Sequence, residues 1–281
     1  MQTILTVAEL RTRLADERNI AFVPTMGNLH EGHLELMRLA REHGSCVVAS
    51  IFVNPLQFGP NEDFDKYPRT LDADCASLQS LADVVFAPSV NEMYPLHQSV
   101  FVEPPPIANE LCGASRPGHF RGMATVVLKF FNIVQPQVAV FGKKDYQQLH
   151  IIRQLVAQLN LPIRIIGGET VRAADGLALS SRNQYLSEAE RGEATALYQT
   201  LLGTKRAILQ GERDFEQLQQ QAVESLASRG WRVEYMEVRN QSDMQPASPL
   251  HDLAQRELVI LAAARLGDTR LMDNVEVHIV G

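Results

Sequence analysis

Five short apolar runs set the limits on what this chain can fold into: Ile20–Val23, Cys46–Val53, Asp83–Ala87, Gln137–Phe141 and Pro162–Ile166. The second is too continuously apolar to alternate, which is the pattern of a strand covered on both faces in a parallel sheet. Between the runs lie stretches whose apolar residues recur at helical spacing, from Leu34 to about His43, from Asp72 to Leu81, from Gly122 to Gln135 and from Tyr146 to Leu159. Ahead of them Thr6-Val7-Ala8-Glu9 has the spacing of a capping box, so a first helix is expected over 7–16. Strands alternating with helices through residue 170 predict an α/β fold built on a doubly wound, Rossmann-like parallel sheet.

Beyond a polar loop the pattern changes. Ser187-x-x-Glu190 caps a helix expected to reach about Gln210, and Asp214 opens another that ends near Gly230. Strands follow at Trp231–Val238, Leu258–Ala264 and Leu271–Ile279, and are expected to be antiparallel. With 281 residues there is room for two domains, and we expect 1–174 to be the Rossmann-like domain and 175–281 a smaller α+β one. Residues 88–120, rich in Pro, Gly and Ser, read as excursions from the core.

Composition removes several function classes. A net charge of -7 without a basic block argues against nucleic acid as a partner. Cys46, Cys75 and Cys112 lie far apart and form no C-x-x-C pair, which fits a reducing compartment. No apolar run approaches the roughly 20 residues that span a bilayer. The first residues, Glu9 and Asp16 among them, lack a signal-peptide pattern. A soluble cytoplasmic enzyme is the expectation.

The chemistry concentrates on Pro24-Thr-Met-Gly-Asn-Leu-His-Glu-Gly-His33, a turn between a strand's carboxyl end and a helix's amino end. Open α/β sheets bind ligands at that edge, and a helix N-terminus offers N–H groups and a positive dipole end to a phosphate. Gly27-x4-Gly32 has P-loop spacing, but His33 and Leu34 stand where Lys and Ser/Thr are needed. A zinc-protease H-E-x-x-H would need histidine at Leu34, and there is no G-x-G-x-x-G. What remains is H-x-G-H. His30 and His33, three apart, share a helical face, where they can donate to phosphate oxygens or act as proton donors. The alternative on spacing alone is that they cap the helix or bind a metal.

A second anchor is Leu179-Ser180-Ser181-Arg182-Asn183, whose hydroxyls and guanidinium suit a triphosphate. Alone it is also an ordinary solvated loop. Paired with H-x-G-H it resembles the signatures of the nucleotidylyltransferase superfamily and of one class of aminoacyl-tRNA synthetases, which attack the α-phosphate of ATP. Adding Phe52-Val-Asn-Pro-Leu-Gln-Phe58, Ser115-Arg-Pro-Gly-His-Phe-Arg-Gly122, Phe141-Gly-Lys-Lys-Asp-Tyr-Gln-Gln148 and Asp175-Gly-Leu-Ala178, the chain resembles the pantothenate synthetase (pantoate–β-alanine ligase) family. The likeness runs from about residue 3 to the C-terminus, specific in the first two-thirds and vague after 185.

The resemblance implies ATP-dependent condensation of (R)-pantoate with β-alanine through a pantoyl adenylate, releasing pyrophosphate and then AMP, with Mg²⁺. It implies ATP contacts from Met26, Gly27, Asn28, Leu29, His30, Glu31, Gly32 and His33, from Gly142, Lys143, Lys144 and Asp145, and from Val171, Leu179, Ser180, Ser181 and Arg182. His33, His30, Lys144 and Arg182 would be the catalytic groups, with His33 donating a proton to the departing phosphate. Gln57 and Gln148 would hold pantoate, Gln57 also lying near β-alanine. A homodimer is implied, while the metal's protein ligands and the roles of Arg116, His119 and Arg121 are not. The family pattern has glutamate where this chain has Lys143.

The residues agree chemically with these roles. A hydroxy acid with a gem-dimethyl group needs amides beside apolar wall, and Gln57 sits between Leu56 and Phe58. Asp145 could accept from a ribose hydroxyl or simply cap a helix. A reactive acyl adenylate requires exclusion of water, so the 54–70 loop and the C-terminal domain are expected to act as lids. Two other readings are a nucleotidylyltransferase, which releases pyrophosphate but never AMP, and a nucleotide sensor without turnover. A tRNA synthetase fits less well, since the acidic chain is too short for an anticodon domain.

Overall fold

The structure, a computed structural model, describes residues 1–60, 62, 64–248 and 256–279. The expected lid loop over 54–70 includes residues 61 and 63, and the expected C-terminal domain includes 249–255, 280 and 281; these lie outside the described residues. The chain divides into two compact units, Met1–Lys143 with Gln147–Thr170, and Lys144–Tyr146 with Val171–Gly281.

The first unit is built on six parallel strands: β1 (Gln2–Ile4), β2 (Ile20–Thr25), β3 (Cys46–Ile51), β4 (Val84–Phe86), β5 (Val138–Gly142) and β6 (Arg164–Gly168). Their order across the sheet is β1-β4-β3-β2-β5-β6. The chain therefore winds outward one way from β2 through β3 and β4, then returns to β5 and winds the other way. The crevice at the carboxyl ends of β2 and β5 is the topological switch point, the usual ligand site of such sheets.

The helices of this unit, among the described residues, are α1 (Val7–Leu14), α2 (Glu31–His43), α3 (Leu71–Leu78), α4 (Val90–Met93), α5 (Cys112–Ser115), α6 (His119–Val134) and α7 (Tyr146–Gln158). Side chains alternate across the strands, so the sheet needs cover on both faces. On one face Phe22, Phe52 and Phe86 surround Phe130 of α6, with ring centroids 5.6, 6.1 and 6.3 Å away. On the other, Ala21, Val23, Val47, Ala49 and Val85 form a core with Met37 and Ala40 of α2. The apolar run 126–131 is core at Val126, Val127, Phe130 and Phe131.

Several boundaries differ from expectation; α3 ends at Leu78 rather than Leu81, and β3 at Ile51 rather than Val53. β1 is three residues long with its first two exposed, so it carries no apolar run to be read. α6 starts at His119, three residues early, because Gly118 at φ +82 turns the chain directly into it. β6 lies two residues later, since Pro162 has no N–H for the ladder and Arg164 N–H is the one that reaches Gln137 O. The helix expected from Ser187 to Gln210 is two, α8 (Glu188–Glu193) and α9 (Thr195–Leu209), meeting at Ala194.

The second unit carries these helices, α10 (Phe215–Ala227) and an antiparallel sheet of β7 (Arg232–Asn240), β8 (Arg256–Leu266) and β9 (Thr269–Ile279). Gly267, at φ +55, opens the two-residue hairpin between β8 and β9. Leu197, Leu201 and Ile208 of α9 and Leu226 of α10 share a core with Leu258, Ile260 and Val277. The Ser187–Glu190 capping box forms, and Asp214 caps α10 through Gln217 N–H.

Candidate active site

The turn after β2 is held by a residue far off in sequence. Asp74, on α3 and 3% exposed, accepts Asn28 N–H at 2.9 Å and Leu29 N–H at 2.8 Å, and also the Thr70 hydroxyl at 3.1 Å. The contact forces a left-handed backbone at Gly27 (φ +84) and Asn28 (φ +51). A Cβ on Gly27 would meet Asp74 Oδ2 and Ile51 Cγ2 at 3.0 Å, so glycine is needed there for conformation and for space.

The two histidines cap the helix they precede. His30 Nδ1 accepts Gly32 N–H at 3.2 Å, and His33 Nδ1 accepts His30 N–H at 3.3 Å, with ring centroids 4.1 Å apart. An Nδ1 that accepts carries no proton, so each neutral ring holds its proton on Nε2. Capping and phosphate binding are thus compatible uses of one imidazole. They also change what the turn offers. Gly27 N–H goes to Thr25 Oγ1, Asn28 and Leu29 N–H go to Asp74, and His33 and Leu34 N–H go to His30 O. Most of the turn's main-chain amides are therefore engaged within the turn or by Asp74. The Glu31 carboxylate pairs with Arg38 at 2.6 Å on the surface.

Gln57 ends a 3-10 turn, Pro55–Gln57, at the carboxyl side of β3 and is 8% exposed. Its Nε2 donates to Met26 Sδ at 3.3 Å, joining this loop to the turn after β2. Its carbonyl accepts from His119 Nδ1 at 2.8 Å and from Arg116 at 3.4 Å. Arg116 also grips Glu62 through two donors at 2.7 and 2.6 Å, and touches His119 Nε2 at 3.0 Å. Burial of Glu62 works to raise its pKa, but hydrogen bonds and charge from Arg116 outweigh this and hold it below the ordinary glutamate value. Arg116 and His119 therefore support the Gln57 loop from beneath, whereas Arg121 lies over the Phe101 ring, 4.1 Å from its centroid.

The neighbouring glutamines on α7 separate by partner. Gln147, 3% exposed, is consumed by Cys112 N–H and by the carbonyls of Ile107 and Glu110. Gln148 is half-buried, and its side chain makes no hydrogen bond among the described residues. Gly142 closes β5 at the same sheet edge, and Lys143 directs its ammonium to Glu169 at 2.6 Å.

In the second unit Lys144, Asp145, Ser180, Arg182 and Asn183 line one small cavity of about 40 Å³. Leu179 N–H bonds Val171 O at 3.0 Å, so these two expected nucleotide contacts face each other across a short ladder that continues at Arg172 and Ala178. Ser180 Oγ accepts Arg182 N–H at 3.3 Å and shapes the turn Ser181–Tyr185. Asn183 Nδ2 bonds Ala178 O, while its buried Oδ1 has no donor among the described residues. Behind them β9 anchors both loops. Asp273 takes Arg172 in a two-pronged pair at 2.6 and 2.8 Å, and Asn274 Nδ2 bonds Lys144 O at 3.0 Å.

Asp74, Asn54 (1% exposed, bonded to Gln57), Asn183 and Asp273 are absent from the motif-based assignment of site residues. Asn54 and Asn183 lie inside the quoted motifs and could have been singled out as amides within them. For Asp74 and Asp273 no local signal exists.

The family model described as pantoate-beta-alanine ligase matches residues 2–276. A pantothenate synthetase from Nitrosospira multiformis is 59% identical over 278 residues, covering 99% of this chain and 98% of that protein. One from Methylobacillus flagellatus is 59% identical over 277 residues, with 98% of each covered. Among solved structures, a pantothenate synthetase from Thermus thermophilus has a TM-score of 0.91 at 45% identity, covering 98% of this chain and 99% of that one. The pantoate-beta-alanine ligase from Francisella tularensis, complexed with beta-gamma ATP and beta-alanine, has a TM-score of 0.78 at 36% identity, covering 98% and 97%.

Proposed function

The chain belongs to the pantoate-beta-alanine ligase family, and from that premise we propose that it joins pantoate to β-alanine with ATP by way of a pantoyl adenylate. It is a ligase of pantothenate synthesis. The observation that supports this reading is the 3.3 Å contact between Gln57 Nε2 and Met26 Sδ, which joins the Gln57 loop to the turn after β2. Adenylation needs that adjacency, because a carboxylate must meet an α-phosphate in line.

In the first step a pantoate carboxylate oxygen bonds the α-phosphorus and pyrophosphate leaves. His30 and His33 donate through Nε2 to phosphate oxygens, Gln57 and Gln148 hold the acid, and Lys144, Ser180, Ser181 and Arg182 supply charge and hydroxyls to the same nucleotide. Met26 to Gly32, Gly142, Lys143, Asp145, Val171 and Leu179 complete the nucleotide contacts. In the second step the β-alanine amine attacks the acyl carbon and AMP leaves. Stabilisation is by positioned charge, with no covalent enzyme intermediate. Mg²⁺ would enter with ATP, with most of its ligands being phosphate oxygens and water. When bound, the ion neutralises phosphate charge.

The resemblance alone supports the division of labour between a nucleotide- and acid-binding domain at 1–174 and a lid domain at 175–281, and also the homodimer and the cytoplasmic location. Among the described residues no helix is long and apolar enough to cross a membrane. The test is to incubate the protein with ATP, Mg²⁺, pantoate and β-alanine and to measure AMP. AMP that requires both acids is expected; pyrophosphate without AMP would identify a nucleotidylyltransferase, and no turnover a binding protein. His33→Ala should cut pantoate-dependent pyrophosphate release at least about 100-fold, the scale of general-acid contributions. Unchanged release would remove His33 from the proton-donor role.

A further inference from the structure

Tyr94 belongs to none of the motifs above, yet its phenol ends a chain of hydrogen bonds that begins at Gln57. Asn54 is the link. Its Nδ2 donates to Gly122 O at 3.2 Å and to Gln57 Oε1 at 3.1 Å, and its Oδ1 accepts Leu56 N–H at 3.3 Å and the Tyr94 hydroxyl at 2.7 Å. Gly122 O and Leu56 N–H are main-chain groups whose acceptor and donor characters cannot change. They leave the Asn54 amide one orientation. Gln57 follows from it: its Oε1 faces the Asn54 NH₂, so its own NH₂ faces the other way, where its partner is Met26 Sδ.

A thioether is a weak acceptor, so an oxygen arriving at Gln57 Nε2 gains a better bond than the one it displaces. Tyr94 is itself held firmly, by Phe52 with ring centroids 6.1 Å apart and by the Lys129 ammonium 4.9 Å from its ring centroid. Burial pushes its phenol far above the ordinary range, so it remains a donor at any physiological pH.

We propose that Tyr94 is a positioning residue for the acid substrate: through Asn54 it holds Gln57 as a hydrogen-bond donor, so this position accepts only a substrate oxygen lone pair, from carboxylate or alcohol. The proposal rests on the reading that Gln57 binds the acid, and it adds the direction of that bond, which Gly122 O and Leu56 N–H select, and Tyr94 as the residue that holds Asn54 in place.

Tyr94→Phe keeps the ring and removes the hydroxyl. It should raise KM for pantoate about five-fold, the scale of one hydrogen bond, with KM for ATP unchanged and the protein still folded. A second pair tests the direction without Tyr94. Gln57→Glu turns one carboxylate oxygen toward Asn54 and the other toward the substrate, so it should damage pantoate binding at least as much as Gln57→Ala. A pantoate KM within about two-fold of wild type in Tyr94→Phe, or both KM values rising together with loss of stability, would overturn the positioning role. Gln57→Glu binding pantoate better than Gln57→Ala would overturn the donor assignment. Wild-type protein that makes no pantoate-dependent AMP would instead remove the functional reading beneath both.

Discussion

Gly122→Ala tests how far the geometry of the Gln57 loop governs the reaction. Gly122 lies in the first turn of α6, and the carbonyl of Leu56 passes directly over it. A Cβ added there would sit 2.0 Å from Leu56 O, 2.3 Å from Leu56 C and 2.7 Å from Gln57 N. Ordinary contact begins at 3.4 Å, so the backbone must separate by about 1.4 Å, the difference between 3.4 and 2.0 Å. These neighbours are main-chain atoms, so no rotamer change can relieve the clash. Overpacking of this kind costs about 1–3 kcal/mol of stability. The functional effect should be larger, because a reacting group misplaced by about 1 Å loses on the order of 100-fold in rate. We therefore expect kcat/KM for pantoate to fall by about two orders of magnitude, while the protein stays folded and binds ATP normally in the absence of pantoate. The assay is steady-state pyrophosphate release at varied pantoate, beside nucleotide binding by titration and a thermal melt. A kcat/KM for pantoate within about three-fold of wild type would refute the link between this close approach and Gln57.

Two further outcomes follow from carboxylates outside the motifs. Asp74→Asn offers one oxygen and one NH₂ where two main-chain N–H groups need acceptors, so either Asn28 or Leu29 is left unsatisfied. Chemical denaturation should show a loss of about 1–3 kcal/mol, with ATP binding weakened as the turn relaxes; stability and binding equal to wild type would refute the role of Asp74 in shaping the turn. Glu62, whose folded pKa is depressed, contributes stability above its ordinary value of 4.5 that is lost as pH falls through the lower folded value. The difference in thermal midpoint between wild type and Glu62→Gln should therefore be constant at neutral pH and shrink below 4.5, and a difference that grows on acidification would reverse the sign of this coupling.

Most elements of the first unit were legible because their signals are local. Thr6, Ser187 and Asp214 cap their helices as their spacing predicts, and the apolar runs at 20–23, 46–53 and 137–141 became adjacent parallel strands. The H-x-G-H turn could be placed between strand and helix from sequence, but its internal bonding could not. Spacing puts two histidines on one face without saying which ring nitrogen is used, and it is the pair of capping bonds at Nδ1 that leaves the proton on Nε2.

What the chain determined by itself is therefore the sheet, the strand–turn–helix and the residue types that gather at the switch point, because a period of two or of 3.6 residues and a cap are written within a few positions. The tertiary structure decided the rest. Asp74 reaches the turn across 46 residues, and Tyr94 reaches Asn54 across 40. β1 is a strand only because β4 gives it a partner. A buried hydrogen bond is set by which groups lose water together, and that depends on packing between segments whose separation in the chain carries no periodic signal.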